Sequence, residues 1–549
     1  MLSTKVLFLL LSCLVFHFSS GTSSLVRKPL CNHHDASALL SFKSLVTIVG
    51  PDSYGWCESR TGVSCDPKTK SWRNDTDCCM WDGVSCDTNS GHVIGLDLSC
   101  SCIQAEFHPN NTLFKLIHLQ TLSLVLNDFY DSPMPSGFCN LLALTHLNLS
   151  LAWFTGVVPS KFSHLSKLVS LDLSTNDEMT IELATLEKLT VNATHLRELA
   201  LDRLNMSLIK PSSLSLLFNF SSSLVSLGLQ GTALQGKLEN KILCLPNLQH
   251  LSDNPDLQVE LPEFNSSSPL RYLAIRHTKF SCEIPLSLSN LHHLTYIDFS
   301  ENNFTGSIPR CIGNLSQLNY LNLGFNNLSG EIPSSLFDLQ HLIYLDLSYN
   351  NFDGEIPNLF GKLSKLEDLD VTGNNLVGRL PSSLFELTQL NSLSLSANKL
   401  VGEIPDKTSG LSMLAYLELS DNSLNGTIPH WCFSLSSLLN LRLGGNQLTG
   451  PIGEFSAFSL YICDLSHNKL QGDIPTSMFL HQNLYELRLS GNNLSGLVDL
   501  NNFSNLQELH IVDLSDNNIQ SLGINEGSVK SFPKDLNLDL SKNQIHGRI

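Results

Sequence analysis

The sequence predicts an α/β solenoid in which every unit adds one short strand to a parallel sheet on the concave face. The first observation is a repeated phrase: Leu318–Pro333 reads LNYLNLGFNNLSGEIP, and Leu342–Pro357 reads LIYLDLSYNNFDGEIP. The second is its period. The asparagine of L-x-x-L-x-L-x-x-N-x-L-x-G-x-I-P recurs every 24 residues at Asn302, Asn326, Asn350, Asn374, Asn398, Asn422 and Asn446, then at Asn468, Asn492, Asn517 and Asn543. Upstream the frame runs through Asn127, Ala152, Asn176, Leu204, Thr232, Asn254 and Thr278, which makes eighteen units. The third is the alternation within L-x-L, which points both leucines to one side of a strand. One unit cannot bury its own leucines, so neighbours must stack. A period and pattern of this kind mark a leucine-rich repeat.

Before the repeats, Lys5, the apolar run Val6–Phe18 and the small residues Ser19–Ser23 read as a secretory signal peptide over residues 1–23. The run is too short to span a bilayer, and no later run of 18 apolar residues follows. Thirteen N-x-S/T sequons agree with export: Asn74, Asn110, Asn148, Asn192, Asn205, Asn219, Asn265, Asn303, Asn314, Asn327, Asn425, Asn493 and Asn502. Of 15 cysteines, eight fall between Cys31 and Cys102. Dense cysteine in an exported segment reads as disulfides, so residues 24–92 are a cysteine-rich cap. Within it Leu39, Leu40, Phe42 and Leu45 have helical spacing and would cover the first repeat. The solenoid spans residues 93–549, with Val93–Leu98 as its first strand.

Each consensus residue has a physical task. The asparagine sits where the chain leaves the strand, and its amide can satisfy backbone groups that the turn leaves unpaired. In G-x-I-P the glycine allows positive φ, the isoleucine returns to the core and the proline ends local hydrogen bonding. The faults in the frame locate irregular structure. The two 28-residue intervals around Leu204 predict bulging outer loops. The 22-residue interval before Asn254 removes two residues at or next to a strand; Leu251 should stay in the core while the sheet is interrupted there.

The x residues of the strands face the concave side. One column reads Tyr272, Tyr296, Tyr320, Tyr344 and then Asp368; another reads His277, Glu301, Phe325 and Tyr349. Those aromatic and acidic residues are the candidate ligand-binding set, suited to a protein or peptide. A structural reading stands beside it: L-D-L-S is ordinary consensus, and stacked tyrosines stabilise a sheet as cross-strand pairs.

A net charge of −18 argues against nucleic acid or an anionic membrane surface as partner. No nucleophile elbow, zinc-protease motif or phosphate loop occurs, so neither a catalytic site nor a cofactor is expected. His33-His34 and His292-His293 lie on polar turns and read as solvated. There is no kinase signature, so the chain cannot phosphorylate anything itself.

Cys78-Cys79-Met80-Trp81-Asp82-Gly83-Val84-Ser85-Cys86, placed between an apolar helix and a first repeat strand, resembles the N-terminal cap of plant leucine-rich-repeat receptors. The resemblance implies Cys31–Cys78 and Cys79–Cys86 disulfides; the G-x-I-P form of the repeats resembles the plant extracellular class, which implies a second short strand with 3₁₀ turns on the convex side. A zinc site is the rival reading of these cysteines; the absence of histidine at ligand spacing and the expected export disfavour it. SWRNDTDCCMWDGVSCD, HVIGLDLSCS and FHPNNTLFKLIHLQTLSL look like the start of receptor-like proteins of the Cf class, which confer resistance to fungal pathogens. Trp56–Asp66 imperfectly repeats Trp81–Asp87, which suggests an additional Cys57–Cys65 bridge. Connectivity stays open for Cys100, Cys102, Cys139, Cys244, Cys282, Cys311, Cys432 and Cys463.

The resemblance implies the extracellular ligand-recognising part of a plant cell-surface immune receptor lacking its own kinase. A protein or peptide ligand and a co-receptor or adaptor receptor-like kinase are its implied partners. The alternative is a secreted inhibitor of microbial wall-degrading enzymes, of the polygalacturonase-inhibitor type. The chain stops at Ile549 without the C-terminal cap, acidic stretch or spanning helix of such receptors, so it reads as a fragment or truncated product. Membrane attachment, through a C-terminal helix absent from this chain, follows from the resemblance alone.

Overall fold

The computed structural model describes residues 31–49, 65–130, 132–210, 212–213, 216, 224–237, 248–258, 261–266, 268, 270–406, 410–523 and 533–546. The expected signal peptide, Cys57, Cys244 and the sequon at Asn219 lie outside these residues. The chain divides into two compact units, residues 1–259 and 260–549.

The first unit opens with helix α1, His33–Leu45, started by the Asn32 side chain accepting from the His34 N–H. Its core face is Asp35, Ala38, Leu39 and Phe42; Leu40 is half-buried and Leu45 is exposed, outside the stripe the spacing predicts. Asp35 is a buried carboxylate that fastens the cap to the first repeat. It accepts from the Val93 N–H at 2.9 Å and pairs with His92 Nδ1 at 3.0 Å. Strand Val84–Cys86 runs antiparallel to Val93–Asp97 and so gives the sheet its first partner. Trp72 and Trp81 stack at 5.6 Å beneath.

The cap disulfides are Cys31–Cys78 and Cys79–Cys86, the pairs that the resemblance implied. The four sulfurs lie within 4.8 Å of one another because two bonds sit side by side. Bonded sulfur is no thiolate, so the cluster is not a metal site in this state. The Cys57–Cys65 expectation is corrected: Cys65 is bonded to Cys102, across 37 residues. Near-repetition of a motif suggested a local hairpin. The fold instead lays residues 47–49 and 65–66 against the turn after the first strand: Val49 N–H donates to Cys102 O, and Asp66 N–H to Cys100 O.

From Val93–Asp97 the parallel order is Thr121–Ser123, His146–Asn148, Ser170–Asp172, Glu198–Ala200, Ser226–Gly228 and Leu248–His250. The first long interval is filled by helix α2, Leu183–Asn192, which buries Leu186 and Leu189. The extra residues therefore form a helix on the outer side where a bulging loop was expected. Before Asn254, Leu251 is buried as expected. Towards the preceding repeat the ladder is kept but irregular: Leu248–His250 pairs with Ser226–Gly228, with a register shift between Leu227 and Gly228. A bulge costs one local irregularity, whereas a break would leave several backbone groups unpaired.

The second unit is more regular. Strands from Tyr272–Ala274 through Tyr296–Asp298, Tyr320–Asn322, Tyr344–Asp346 and Asp368–Asp370 pair in parallel with equivalent residues adjacent. The ladder continues to Asn537–Asp539. Leu318, Leu321 and Leu323 of one unit are all essentially inaccessible. The proline of G-x-I-P opens a 3₁₀ turn: Ile312 N–H donates to Pro309 O at 2.9 Å, and Leu336 N–H to Pro333 O at 3.0 Å. The preceding residues form short convex strands, as in Ser329–Glu331 beside Asn351–Asp353. The glycine carries positive φ, 80° at Gly330, and Ile332 is buried.

The asparagine frame ties successive turns together. Asn350 Nδ2 donates to Leu347 O and Ser348 O in its own turn and to Leu323 O of the preceding unit. Its Oδ1 accepts from the Leu328 N–H, also of the preceding unit. Thr278 replaces asparagine with a hydroxyl that lies 3.0 Å from Ile275 O and 2.6 Å from Asn302 Oδ1.

Candidate ligand-binding face

In-register pairing converts a sequence column into a physical stack. The rings of Tyr272, Tyr296, Tyr320 and Tyr344 follow one another at 4.0, 4.2 and 4.4 Å, nearly parallel. All four are half-buried. Burial pushes the phenols of Tyr296 and Tyr344 well above the usual value, reinforced at Tyr296 by Tyr272 and Asp298 and at Tyr344 by Asp346, and it raises that of Tyr320. These three phenols stay neutral, and the Tyr344 hydroxyl donates to Asp346 Oδ2 at 3.4 Å. The column ends on Asp368, opposite Tyr344.

The second column occupies the residue before each frame position. There the chain turns with positive φ: 52° at His277, 54° at Glu301, 54° at Phe325 and 49° at Tyr349. Such a turn holds the side chain away from the core. Phe325 and Tyr349 are 50% and 51% exposed and stack at 4.4 Å. Glu301 is engaged otherwise: Arg276 Nε donates to its Oε1 at 3.0 Å. The face thus has an exposed aromatic pair at its centre and an ion pair at one side.

The Asp column is largely structural. Asp346 Oδ1 accepts from the Ser348 N–H at 2.8 Å, and Asp370 Oδ1 from the Thr372 N–H at 2.8 Å. Each supports its own turn with one oxygen.

Two features escaped the sequence columns. Gly373 takes the position that follows Phe325 and Tyr349, with φ 69°, and a Cβ there would lie 2.9 Å from Tyr349 Cδ1. The Tyr349 ring therefore rests over a glycine. Farther along, Tyr461, Tyr485 and His510 stack at 5.2 and 4.4 Å beside a shallow groove of about 710 Å³. An aromatic at the residue before three consecutive strands was its legible signal.

Of the twelve described sequon asparagines, Asn148 and Asn502 are half-buried and the other ten exposed. Only Asn148 lies on an inner strand, in the first unit, where its Oδ1 accepts from the Ser150 N–H. Among the described residues of the second unit, no sequon lies on the inner sheet. No helix among them is long and apolar enough to cross a membrane.

Family models match in two regions: a leucine-rich-repeat N-terminal domain at residues 32–87, and leucine-rich repeats at residues 293–315, 317–339, 330–376 and 380–448. Receptor-like protein 6 of Arabidopsis thaliana is 38% identical over 304 residues, covering 53% of this chain and 30% of the relative. The chain is related to the plant leucine-rich-repeat receptor-like proteins. Receptor-like protein Cf-9 of Solanum pimpinellifolium is 39% identical over 272 residues, 48% of this chain and 31% of its own length. The chain thus spans about a third of the length of these receptor-like relatives. In structure it resembles the Arabidopsis receptor kinase HAESA, solved with the peptide hormone IDA and the co-receptor SERK1. The TM-score is 0.62 at 25% identity, over 94% of this chain and 95% of that one.

Proposed function

We propose that this chain is the ligand-recognising extracellular region of a plant cell-surface immune receptor without its own kinase. Its ligand is a peptide or exposed protein segment, pathogen-derived or endogenous, that lies on the inner sheet over Tyr272, Tyr296, Tyr320 and Tyr344. Phe325 and Tyr349 are the anchors, with His277 and Glu301 at the flank. The observation that carries this reading is the exposed Phe325–Tyr349 stack. Two large rings held in water gain most when a partner covers them, and aromatic anchors dominate measured interfaces. Among the described residues of the second unit no sequon lies on an inner strand, which supports the same choice.

Signalling then passes to a separate kinase. HAESA, complexed with IDA and SERK1, supplies the pattern of a repeat-bearing ectodomain, a peptide and a co-receptor. The inhibitor alternative draws on no comparable observation. The test is expression with and without Phe325→Ala/Tyr349→Ala in plant tissue challenged with microbial extracts, with co-purification of receptor kinases. A response and an extract-dependent kinase partner, both lost in the double variant, are expected. An unchanged response in the variant would overturn the assignment of this face.

A further inference from the structure

One sequon opens onto a groove in the cap. Among the described residues, Asn74-Asp75-Thr76 forms one bank of a depression of about 650 Å³, and helix α1 forms the other. The helix contributes Ala36, Ser37, Leu40, Ser41 and Ser44, which share one face at spacings of three and four. That face lies opposite its buried one of Asp35, Ala38, Leu39 and Phe42.

The bank that carries Asn74 is rigid. Thr76 closes a turn on Arg73, its N–H and its hydroxyl both donating to Arg73 O, at 3.2 and 3.0 Å. The buried Trp81 donates its indole N–H to the same hydroxyl at 2.7 Å and stacks on Trp72. Just beyond, Asp77 Oδ1 accepts from the Cys31 and Cys79 N–H groups, and Cys78 is bonded to Cys31. Asn74 is exposed on the turn held in this way.

The groove is apolar at Ala36, Leu40 and Trp81 and rich in acceptors around them. Ser41 Oγ donates to Ser37 O at 2.8 Å and Ser44 Oγ to Ser41 O at 2.7 Å, so the protons of both hydroxyls are used and their lone pairs remain. Asp75 adds an exposed carboxylate, and no lysine or arginine lines the groove. Apolar surface edged by a few acceptors suits a neutral molecule rich in donors. A pyranose ring has that character, with C–H faces and a rim of hydroxyls, and an N-acetyl group adds a methyl and an amide N–H.

We propose that Asn74 carries an N-linked glycan whose first sugars lie in this groove against helix α1, where they join the two banks of the cap. The tether identifies the occupant, because the sequon is itself part of the groove wall. Transfer joins Asn74 Nδ2 to the anomeric carbon of the first N-acetylglucosamine with loss of an amide proton. The sugar–phosphate bond of a lipid-linked diphosphate donor breaks, and the lipid diphosphate leaves. In the folded cap the Thr76 hydroxyl of the sequon is taken by Arg73 and Trp81, so attachment precedes closure of the cap. Once the cap has closed, the rigid turn fixes where the first sugar starts, and docking costs little further freedom. This site is separate from the inner face and does not depend on its reading.

The full chain, secreted from plant cells, is the material for the test. Glycopeptide mapping should find Asn74 occupied. Hydroxyl-radical footprinting then compares it with Asn74→Gln, whose folding circular dichroism checks. Oxidation of His33 and Leu40 should be several-fold slower in the glycosylated chain, and Asn303→Gln, which removes a sequon on a distant repeat, should leave it unchanged. A crystal structure of the glycosylated chain gives a second reading that needs no variant, with density for the first sugars expected along helix α1. An unoccupied Asn74, oxidation indifferent to its glycan or equally altered by Asn303→Gln, or sugar density leading out into solvent would each overturn the proposal.

Discussion

Phe325 and Tyr349 stand on adjacent repeats with their rings 4.4 Å apart, each half exposed and each on a residue with positive φ. The backbone there disfavours a large side chain, and glycine fills the equivalent position in the next repeat, Gly373. Neither ring contributes to the buried core of its unit. Replacing both by alanine should therefore shift unfolding by less than about 1 kcal/mol. Loss of ligand affinity should exceed about 2 kcal/mol. Calorimetry for both quantities on one preparation checks the contrast.

Gly373 supports that pair from below. Alanine at φ 69° is strained, and its Cβ would press on the Tyr349 ring at 2.9 Å. Gly373→Ala should cost about 1 kcal/mol of stability. It should also move Tyr349 and weaken ligand binding without removing any contacting atom. A crystal structure of the variant with Tyr349 unmoved would count against this.

The asparagine frame makes a graded prediction. Asn350→Ala removes a donor shared by three carbonyls and the acceptor of the Leu328 N–H. Unpaired buried groups of this kind cost about 1–3 kcal/mol each. Asn350→Thr should be milder, since Thr278 fills that position naturally with one hydroxyl. Solenoids open locally, so hydrogen exchange at Leu328 and its neighbours is the proper measurement. Equal exchange in both variants would contradict the role of the hydroxyl.

His481 predicts a pH dependence. It is buried and its Nδ1 accepts from the Leu460 N–H, which puts the proton on an Nε2 with no hydrogen-bond partner. Burial lowers its pKa from 6.5 to about 4. Unfolded histidine takes up a proton below about 6.5, whereas the folded residue resists until about 4. Its share of stability is therefore intact above about pH 6.5 and is lost as pH falls towards 4, on the order of 3 kcal/mol in all. His481→Leu should flatten the unfolding midpoint across that window. An unchanged slope would place the titration elsewhere.

The Cys65–Cys102 bond is directly testable. Non-reducing peptide mapping should recover it, and Cys102→Ser should cost about 2–4 kcal/mol. Recovery of a Cys57–Cys65 peptide would restore the local hairpin instead.

The asparagine frame, the inward leucines and the aromatic columns were legible in the sequence, because a parallel in-register ladder places residues one period apart side by side. Tyr272, Tyr296, Tyr320 and Tyr344 could be stacked on paper for that reason. The irregular parts were not legible. Whether the extra residues of a long repeat coil, as in Leu183–Asn192, and whether a short repeat keeps its pairing through a register shift, as at Leu227, depends on which choice leaves fewer backbone groups unpaired in three dimensions. The partner of Cys65 depends on where the cap chain lies against the first repeat, which no local motif encodes. The sequence column placed Glu301 among candidate ligand residues without its partner, Arg276 of the preceding repeat. Periodic contacts follow from sequence spacing alone; caps, bulges and ion pairs are settled by packing between segments whose separation has no period, and for those only the tertiary structure decides.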